Sequence, residues 1–179
     1  MLHVFAFGRI GVAIGDLYFV DPHPGPGQEG AERGVRVEVR LMESPARDGS
    51  IYASRPILVG PPIWRADLLE SVAGPPGSYD RTHHHPHMRD WEPNSRQFDA
   101  AMSADPLGFV GQRLADLDAM LTDAGMGPSE VDPHDAEGLR DTVPEIVDTI
   151  ERMLTGVRAG RLARPPEGQR REGARVGWL

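Results

Sequence analysis

The chain contains no cysteine and no lysine, and none of its apolar runs approaches 18 residues. Without cysteine there is no disulfide framework, thiolate zinc site, iron–sulfur cluster or cysteine nucleophile, so any metal must be held by nitrogen and oxygen ligands. The short apolar runs and an N-terminus without a positive region predict neither a membrane span nor an export signal. We therefore expect a cytoplasmic protein with no membrane partner.

The charge of the chain is unevenly distributed. All 19 basic residues are arginine, as is typical of a GC-rich genome, and residues 25–30 form a glycine-rich segment without the lysine of a phosphate-binding loop. No nucleotide or flavin cofactor is indicated. Residues 1–160 carry 14 arginines and 25 acidic residues, whereas residues 161–179 carry 5 arginines and 2 acidic residues. An acidic body repels nucleic-acid phosphates, so general DNA binding is not expected.

The first half of the chain has the patterns of β-strands. Residues 35–41 alternate apolar and charged side chains strictly, which predicts a half-buried antiparallel strand. Further strands are predicted over residues 4–7 and 11–20, over 51–59 and 63–72 with a break at Gly60-Pro61-Pro62, and over 79–87. We expect an antiparallel sheet of about four to six strands within residues 2–90.

The second half has helical spacing. Apolar residues at intervals of three and four predict one helix over about 105–124, capped by Asp105, and a second over about 141–159. Residues 126–134 between them are expected to form a loop. The predicted fold is thus a single α+β domain, residues 1–160, with two C-terminal helices packed on the sheet. Residues 161–179 are expected to form a flexible arginine-rich tail.

Two interactions with other chains are compatible with this pattern. The tail ends in Trp178-Leu179, and an exposed tryptophan on a basic segment is suited to docking on an acidic protein surface. Self-association into a homo-oligomer is the second.

A histidine run is the chemically richest feature of the sequence. On a strand, His83, His85 and His87 project from one face and His84 from the other, although Pro86 interrupts the strand and can turn His87 out of line. Imidazoles on one face suit a divalent transition metal such as zinc, iron, manganese, copper or nickel. His83 and His85 are the predicted core of a metal site. The candidates for its third ligand are His87, Asp80, Asp90 and Glu92.

The same side chains have a metal-free alternative. Two imidazoles and an arginine can deprotonate a nucleophile, protonate a leaving group and stabilise an oxyanion. His83 and His85 are then acid and base, with Arg65 and Arg81 as oxyanion partners. The layout of residues 35–121, a small sheet, a histidine strand and a helix, resembles the small toxin ribonucleases of bacterial toxin–antitoxin pairs. That resemblance implies metal-independent RNA cleavage.

Two further interpretations stay open. The histidines can be purely structural, donating to backbone carbonyls and carboxylates, in a non-enzymatic interaction module that uses its acidic body or basic tail. The segments Gly-Asp-Leu-Tyr-Phe-Val-Asp-Pro, residues 15–22, and Trp-Arg-Ala-Asp-Leu-Leu-Glu-Ser, residues 64–71, resemble a family of small proteins of unknown function from GC-rich bacteria. The resemblance implies no particular activity.

Overall fold

A five-stranded antiparallel sheet forms the centre of the protein. The computed structural model describes residues 1–43, 49–54, 56–127 and 130–166. The strands of the sheet lie side by side in chain order. They are β1 (Leu2–Phe7), β2 (Ile10–Val20), β3 (Ala31–Glu43), β4 (Leu58–Ser71) and β5 (His83–His85). A small second sheet pairs β6 (Met88–Arg89) with β7 (Glu92–Pro93).

Within the described ranges four helices follow the strands, and the predicted α+β class is confirmed. They are α1 (Ala100–Ala104), α2 (Pro106–Ala115), α3 (Leu117–Asp123) and α4 (Pro133–Arg158). The helices pack on one face of the sheet, where α4 contacts β1, β2 and β3 and α3 contacts β4. None of the helices within the described ranges is long and apolar enough to cross a membrane.

The alternation along β3 separates the two faces of the sheet. Val35, Val37 and Val39 are fully buried beneath the helices, whereas Arg36 and Arg40 project from the opposite face. The predicted strand 35–41 is therefore confirmed as the middle of a longer strand. Each fully buried Val, Leu or Ile contributes about 1.5–3 kcal/mol by leaving water. The core beneath the helices also includes Ile10, Val12, Ile14, Trp64, Ala66, Leu68, Val110, Leu114, Leu139, Ile146 and Ile150.

The predicted break at Gly60-Pro61-Pro62 is wrong. β4 begins at Leu58 and continues through these residues to Ser71, and the described residues between 51 and 57 are not in a strand. The pairing of β3 with β4 is irregular there, with register shifts around Arg40. Proline cannot donate to a neighbouring strand, and a bulge is where a sheet tolerates that loss.

The predicted helix boundaries also need correction. The helix expected over 105–124 is two helices, because the Asp116 side chain accepts a hydrogen bond from the Ala119 amide and begins α3. The second helix begins at Pro133, since Asp132 caps it by accepting from the His134 amide. Residues 133 and 134 of the predicted loop are thus helical. Pro144 consequently lies inside α4 and not in its first turn.

The beginning of the predicted tail lies against the domain. Ala163 is buried, and its amide donates to Asp16 Oδ2 at 2.6 Å. Leu162 packs closely on Gly156 of α4. The arginine-rich remainder, residues 167–179, including the predicted docking residues Trp178 and Leu179, is outside the described residues.

Candidate metal centre

Pairing of β4 with β5 brings Asp67 beside the histidines. Asp67 is directly opposite His83, and Arg65 is opposite His85, on the sheet face away from the helices. The Nε2 atoms of His83 and His85 lie 3.4 Å and 3.6 Å from Asp67 Oδ2. Ligand atoms of the three residues all lie within 4.8 Å of one another, and all three residues are buried. This Asp/His/His group could bind a metal ion.

Backbone carbonyls fix the orientation of both imidazoles. His83 Nδ1 lies 2.8 Å from the Arg81 carbonyl oxygen, and His85 Nδ1 lies 2.9 Å from the Asn94 carbonyl oxygen. A carbonyl can only accept, so Nδ1 carries the hydrogen on each ring. In the neutral imidazole the lone pair is then on Nε2, which faces Asp67. Such a bond from the second ring nitrogen is the usual support of a histidine metal ligand.

Two arginines bind the carboxylate of Asp67. Arg36 makes a two-point contact, with Nε 2.6 Å from Oδ1 and Nη2 3.1 Å from Oδ2. Arg65 Nε lies 3.2 Å from Oδ2, and Arg65 Nη2 lies 3.0 Å from His85 Nε2. An arginine nitrogen only donates, so the His85 Nε2 lone pair is the acceptor of that contact. The contact thus agrees with hydrogen on Nδ1 of His85.

Burial and charge act in opposite directions on these groups. Burial alone would raise the pKa of Asp67, but the guanidinium of Arg36, the imidazole contacts of His83 and His85, and the guanidinium of Arg65 lower it well below its usual value. Burial lowers the pKa of His85, and the neighbouring Asp67 offsets this decrease only in part. Burial also lowers the pKa of Arg65. The centre therefore keeps an ionised carboxylate beside an imidazole whose proton is disfavoured.

His84 belongs to the other face of the sheet, as strand alternation predicts. Its ring lies among the core aromatics, with centroid distances of 6.5 Å to Trp64 and 5.2 Å to Phe109. Burial lowers the pKa of His84 as well. It is buried with the core and is not a member of the Asp/His/His group.

A cavity of about 1100 Å³ opens above the three residues. Its floor includes the charged face of β3 and β4, where Arg40 binds Glu38 through Nε at 2.9 Å. Phe19 of β2 lines one side, and Trp91 lines another with 59% of its surface exposed. Trp91 lies in the turn between β6 and β7, and residues 91–96 line the cavity together with His83 and His85.

A second buried carboxyl group lies near the centre. Glu32 of β3 is 1% exposed, and neither of its oxygens has a hydrogen-bond partner among the described residues. The nearest cations are Arg96 Nη1 at 3.7 Å and Arg81 Nε at 3.9 Å. Burial raises the pKa of Glu32, opposed by Arg96, His83 and Arg81.

The other predicted metal ligands are not brought to the centre. His87 is exposed beyond the end of β5, and Asp90 is an exposed turn residue with a φ of 52°. Glu92 is exposed at the cavity wall. Asp80 instead accepts hydrogen bonds from the Ser71 amide at 2.9 Å and the Ser78 hydroxyl at 2.7 Å. Among the described residues only Asp67, His83 and His85 form a group that could hold a metal.

The two arginines predicted as oxyanion partners lie in different surroundings. Arg65 contacts His85, whereas the guanidinium of Arg81 donates to the Gly27 carbonyl and lies near Glu32 and Asp80. Arg81 contacts His83 only through its own backbone carbonyl. The metal-free arrangement therefore has one of its two arginines at the histidines.

Asp67 is the residue that the sequence prediction missed. The alternation along β4 places Arg65 and Asp67 on one face, opposite Trp64 and Ala66, so its direction was readable from the sequence. The pairing of this strand with the histidine strand was not. The signal that points to it is an acidic residue between Ala66 and Leu68, in the middle of a predicted strand.

No protein-family model, no curated protein and no solved structure matches this chain.

Proposed function

We propose that the protein is a metal-dependent enzyme whose divalent transition metal ion is bound by Asp67, His83 and His85 at the base of the cavity. The observation that carries the proposal is the convergence of three ligand atoms within 4.8 Å, with both Nδ1 atoms tied to backbone carbonyls. The neutral His83 then directs its Nε2 lone pair at a carboxylate oxygen of Asp67, and a metal ion between them would relieve that repulsion. Two histidines and one carboxylate suit zinc and iron(II).

The location of the centre favours a catalytic role over a structural one. Structural zinc sites are closed by four protein ligands, whereas catalytic sites keep a position for water or substrate. Here three protein ligands face a cavity of about 1100 Å³. A metal at this place would polarise a bound substrate or lower the pKa of a bound water.

Binding of a metal ion would require Arg65 to give up its hydrogen bond to His85. Arg65 Nη2 donates to the lone pair of His85 Nε2, and Arg36 and Arg65 share the carboxylate of Asp67. A metal ion on the same atoms would displace the Arg65 contact. Metal binding should therefore be weaker than at a centre without competing cations, and Arg65→Met should tighten it.

A second candidate keeps Arg65 in place. The hydrogen bond from Arg65 to His85 Nε2 favours a metal-free acid–base pair of His83 and His85, the arrangement required for ribonuclease chemistry. This candidate predicts RNA cleavage in the presence of EDTA that His83→Ala or His85→Ala abolishes. Intact RNA after long incubation with metal-free protein would contradict it.

Metal analysis of untagged protein tests the proposed function. After dialysis against zinc, manganese, iron(II) or nickel, about one ion per chain is expected for the preferred metal. His83→Ala with His85→Ala should reduce it to background, whereas His87→Ala should leave it unchanged because His87 is exposed and outside the group. Substoichiometric metal in the wild type, or retention by the double variant when circular dichroism reports a folded protein, would refute the proposal.

A further inference from the structure

The cavity above the metal centre has the opposite charge balance to the whole chain. Among the residues that the structure describes, five arginines line it against four carboxylate side chains, although the protein has a formal net charge of −8. A bound divalent metal would add two further positive charges. Positive potential focused in a concave site attracts anions, and the acidic remainder of the surface does not compete for them. The five arginines are Arg36, Arg40, Arg65, Arg96 and Arg164.

Arg65 has hydrogen-bonding capacity that a ligand would satisfy. Its Nε group is buried and has no hydrogen-bond partner among the described residues, although it lies 3.2 Å from Asp67 Oδ2. Its Nη2 group donates to His85 Nε2, an acceptor that the metal would take. A buried N–H group that lacks an acceptor is costly. A planar two-oxygen anion matches the geometry of two guanidinium N–H groups.

The part of the cavity away from the metal is suited to an apolar group. On β2 the cavity face carries Ala13, Gly15 and Phe19, and a Cβ added at Gly15 would meet no atom closer than 3.8 Å. Trp91 stands at another wall. The guanidinium of Arg96 covers Phe19 at 5.5 Å and that of Arg40 covers Trp91 at 5.4 Å. A flat aromatic wall beside an open floor accommodates a ring by stacking, and Trp91 is the wall on the side of Arg40.

We propose that the ligand of this cavity is a small organic acid that combines a carboxylate with an apolar, ring-sized body. Its carboxylate binds the metal and Arg65, and its body lies against Trp91. This inference rests on the proposed metal centre, because the metal both frees Arg65 from His85 and supplies the second partner of the carboxylate.

Isothermal titration of the zinc-loaded protein with 3-phenylpropanoate tests the inference. The matched probes are 3-phenylpropan-1-ol, which keeps the ring and lacks the charge, and acetate, which keeps the charge and lacks the ring. We expect saturable binding of 3-phenylpropanoate and at least about tenfold weaker binding of each matched probe, since both halves of the ligand contribute. Metal-free protein should also bind 3-phenylpropanoate at least about tenfold more weakly.

Two variants test which side chains bind the carboxylate and the apolar body of the ligand. Arg65→Met should weaken 3-phenylpropanoate binding by about 10- to 100-fold, the usual effect of losing a charge-assisted contact. Arg113→Met is the matched control, because Arg113 pairs with Asp123 on the helical side of the protein and should leave binding unchanged. Trp91→Ala removes a side chain that is 59% exposed. It should weaken 3-phenylpropanoate binding several-fold and leave acetate binding unchanged.

The outcomes separate this inference from the metal proposal. Protein that binds zinc at one ion per chain but binds 3-phenylpropanoate no better than the alcohol or acetate would overturn the inference and leave the metal centre intact. Equal affinity of the metal-free and zinc-loaded proteins would overturn it too. Protein that binds no zinc would overturn both. If Arg65→Met does not fold, the Trp91→Ala result and the comparison of the three probes still test the inference about the ligand.

Discussion

Replacement of Asp67 by Asn in the metal-free protein should cost about 3–5 kcal/mol of unfolding free energy. Asp67 is 1% exposed, and its carboxylate is shared by Arg36 and Arg65, whose side chains are 14% and 11% exposed. Removing one partner of a buried ion pair leaves charge without compensation, and about 3–5 kcal/mol is the usual penalty. That is a large fraction of the roughly 5–15 kcal/mol that stabilises a typical protein.

Urea denaturation in the presence of EDTA measures this loss without a contribution from metal. For a domain of this size the loss corresponds to a decrease in Tm of roughly 6–20 °C, taking about 2–4 °C per kcal/mol. Asp123→Asn is the matched control, because Asp123 Oδ2 also lies 2.6 Å from an arginine nitrogen but is 43% exposed. An exposed pair contributes about 0–1 kcal/mol.

The pH dependence of the Asp67 effect has a definite sign. The pKa of Asp67 is lowered well below its usual value in the folded protein, so the ionised form is favoured by folding. Its contribution is complete above the unfolded pKa of 3.8 and is lost as the pH falls through the lower folded pKa. The gap between wild type and Asp67→Asn should therefore shrink in acid. A loss no larger than that of Asp123→Asn at pH 7 would refute the account of Asp67 as a buried shared counterion.

Three further variants test other parts of the structure. Gly34→Ala should destabilise the protein by about 1–3 kcal/mol or more, because the added Cβ would lie 2.0 Å from the Leu68 carbonyl oxygen, whereas Gly15→Ala should be tolerated in thermal unfolding. Ile150→Ala in the core should cost about 2–5 kcal/mol in urea denaturation. Glu32→Gln should stabilise the protein increasingly as the pH rises above about 4.5, because burial raises the pKa of Glu32 and ionisation therefore costs folding energy; a pH-independent difference would contradict this.

Strictly periodic segments were predictable because one local pattern decides them. Residues 35–41 alternate over a long strand, and the apolar spacing around Val110 and Leu114 gives α2. Spacing alone does not reveal the break at Asp116, because apolar residues continue at helical intervals on both sides of it. The break depends on one side chain that competes for the Ala119 amide.

The prolines misled in two different ways. Proline favours the end of a strand, but the irregular pairing of β3 and β4 accommodates Pro61 and Pro62. Proline also favours the first turn of a helix, but Pro144 lies inside the 26-residue helix α4. In both cases neighbouring elements stabilise the backbone more than the missing donor costs, and a single sequence carries no information on those neighbours.

The two histidines of the candidate site could be predicted from the sequence, but its carboxylate could not. Strand alternation separates His84 from His83 and His85, and that separation is confirmed. The third member was sought among residues close in sequence, whereas Asp67 lies 16 positions before His83 and reaches it through the pairing of two strands. Cross-strand neighbours become visible only when the register is known.

The most direct test of the metal centre is X-ray absorption spectroscopy of the zinc-loaded protein. We predict nitrogen and oxygen neighbours at about 2.0–2.2 Å with outer-shell scattering from two imidazole rings. The imidazole signal should be lost in the variant carrying both His83→Ala and His85→Ala and kept in His87→Ala. A zinc environment without imidazole scattering in the wild type, or one that the double variant leaves unchanged, would contradict the assignment of Asp67, His83 and His85 as the metal ligands.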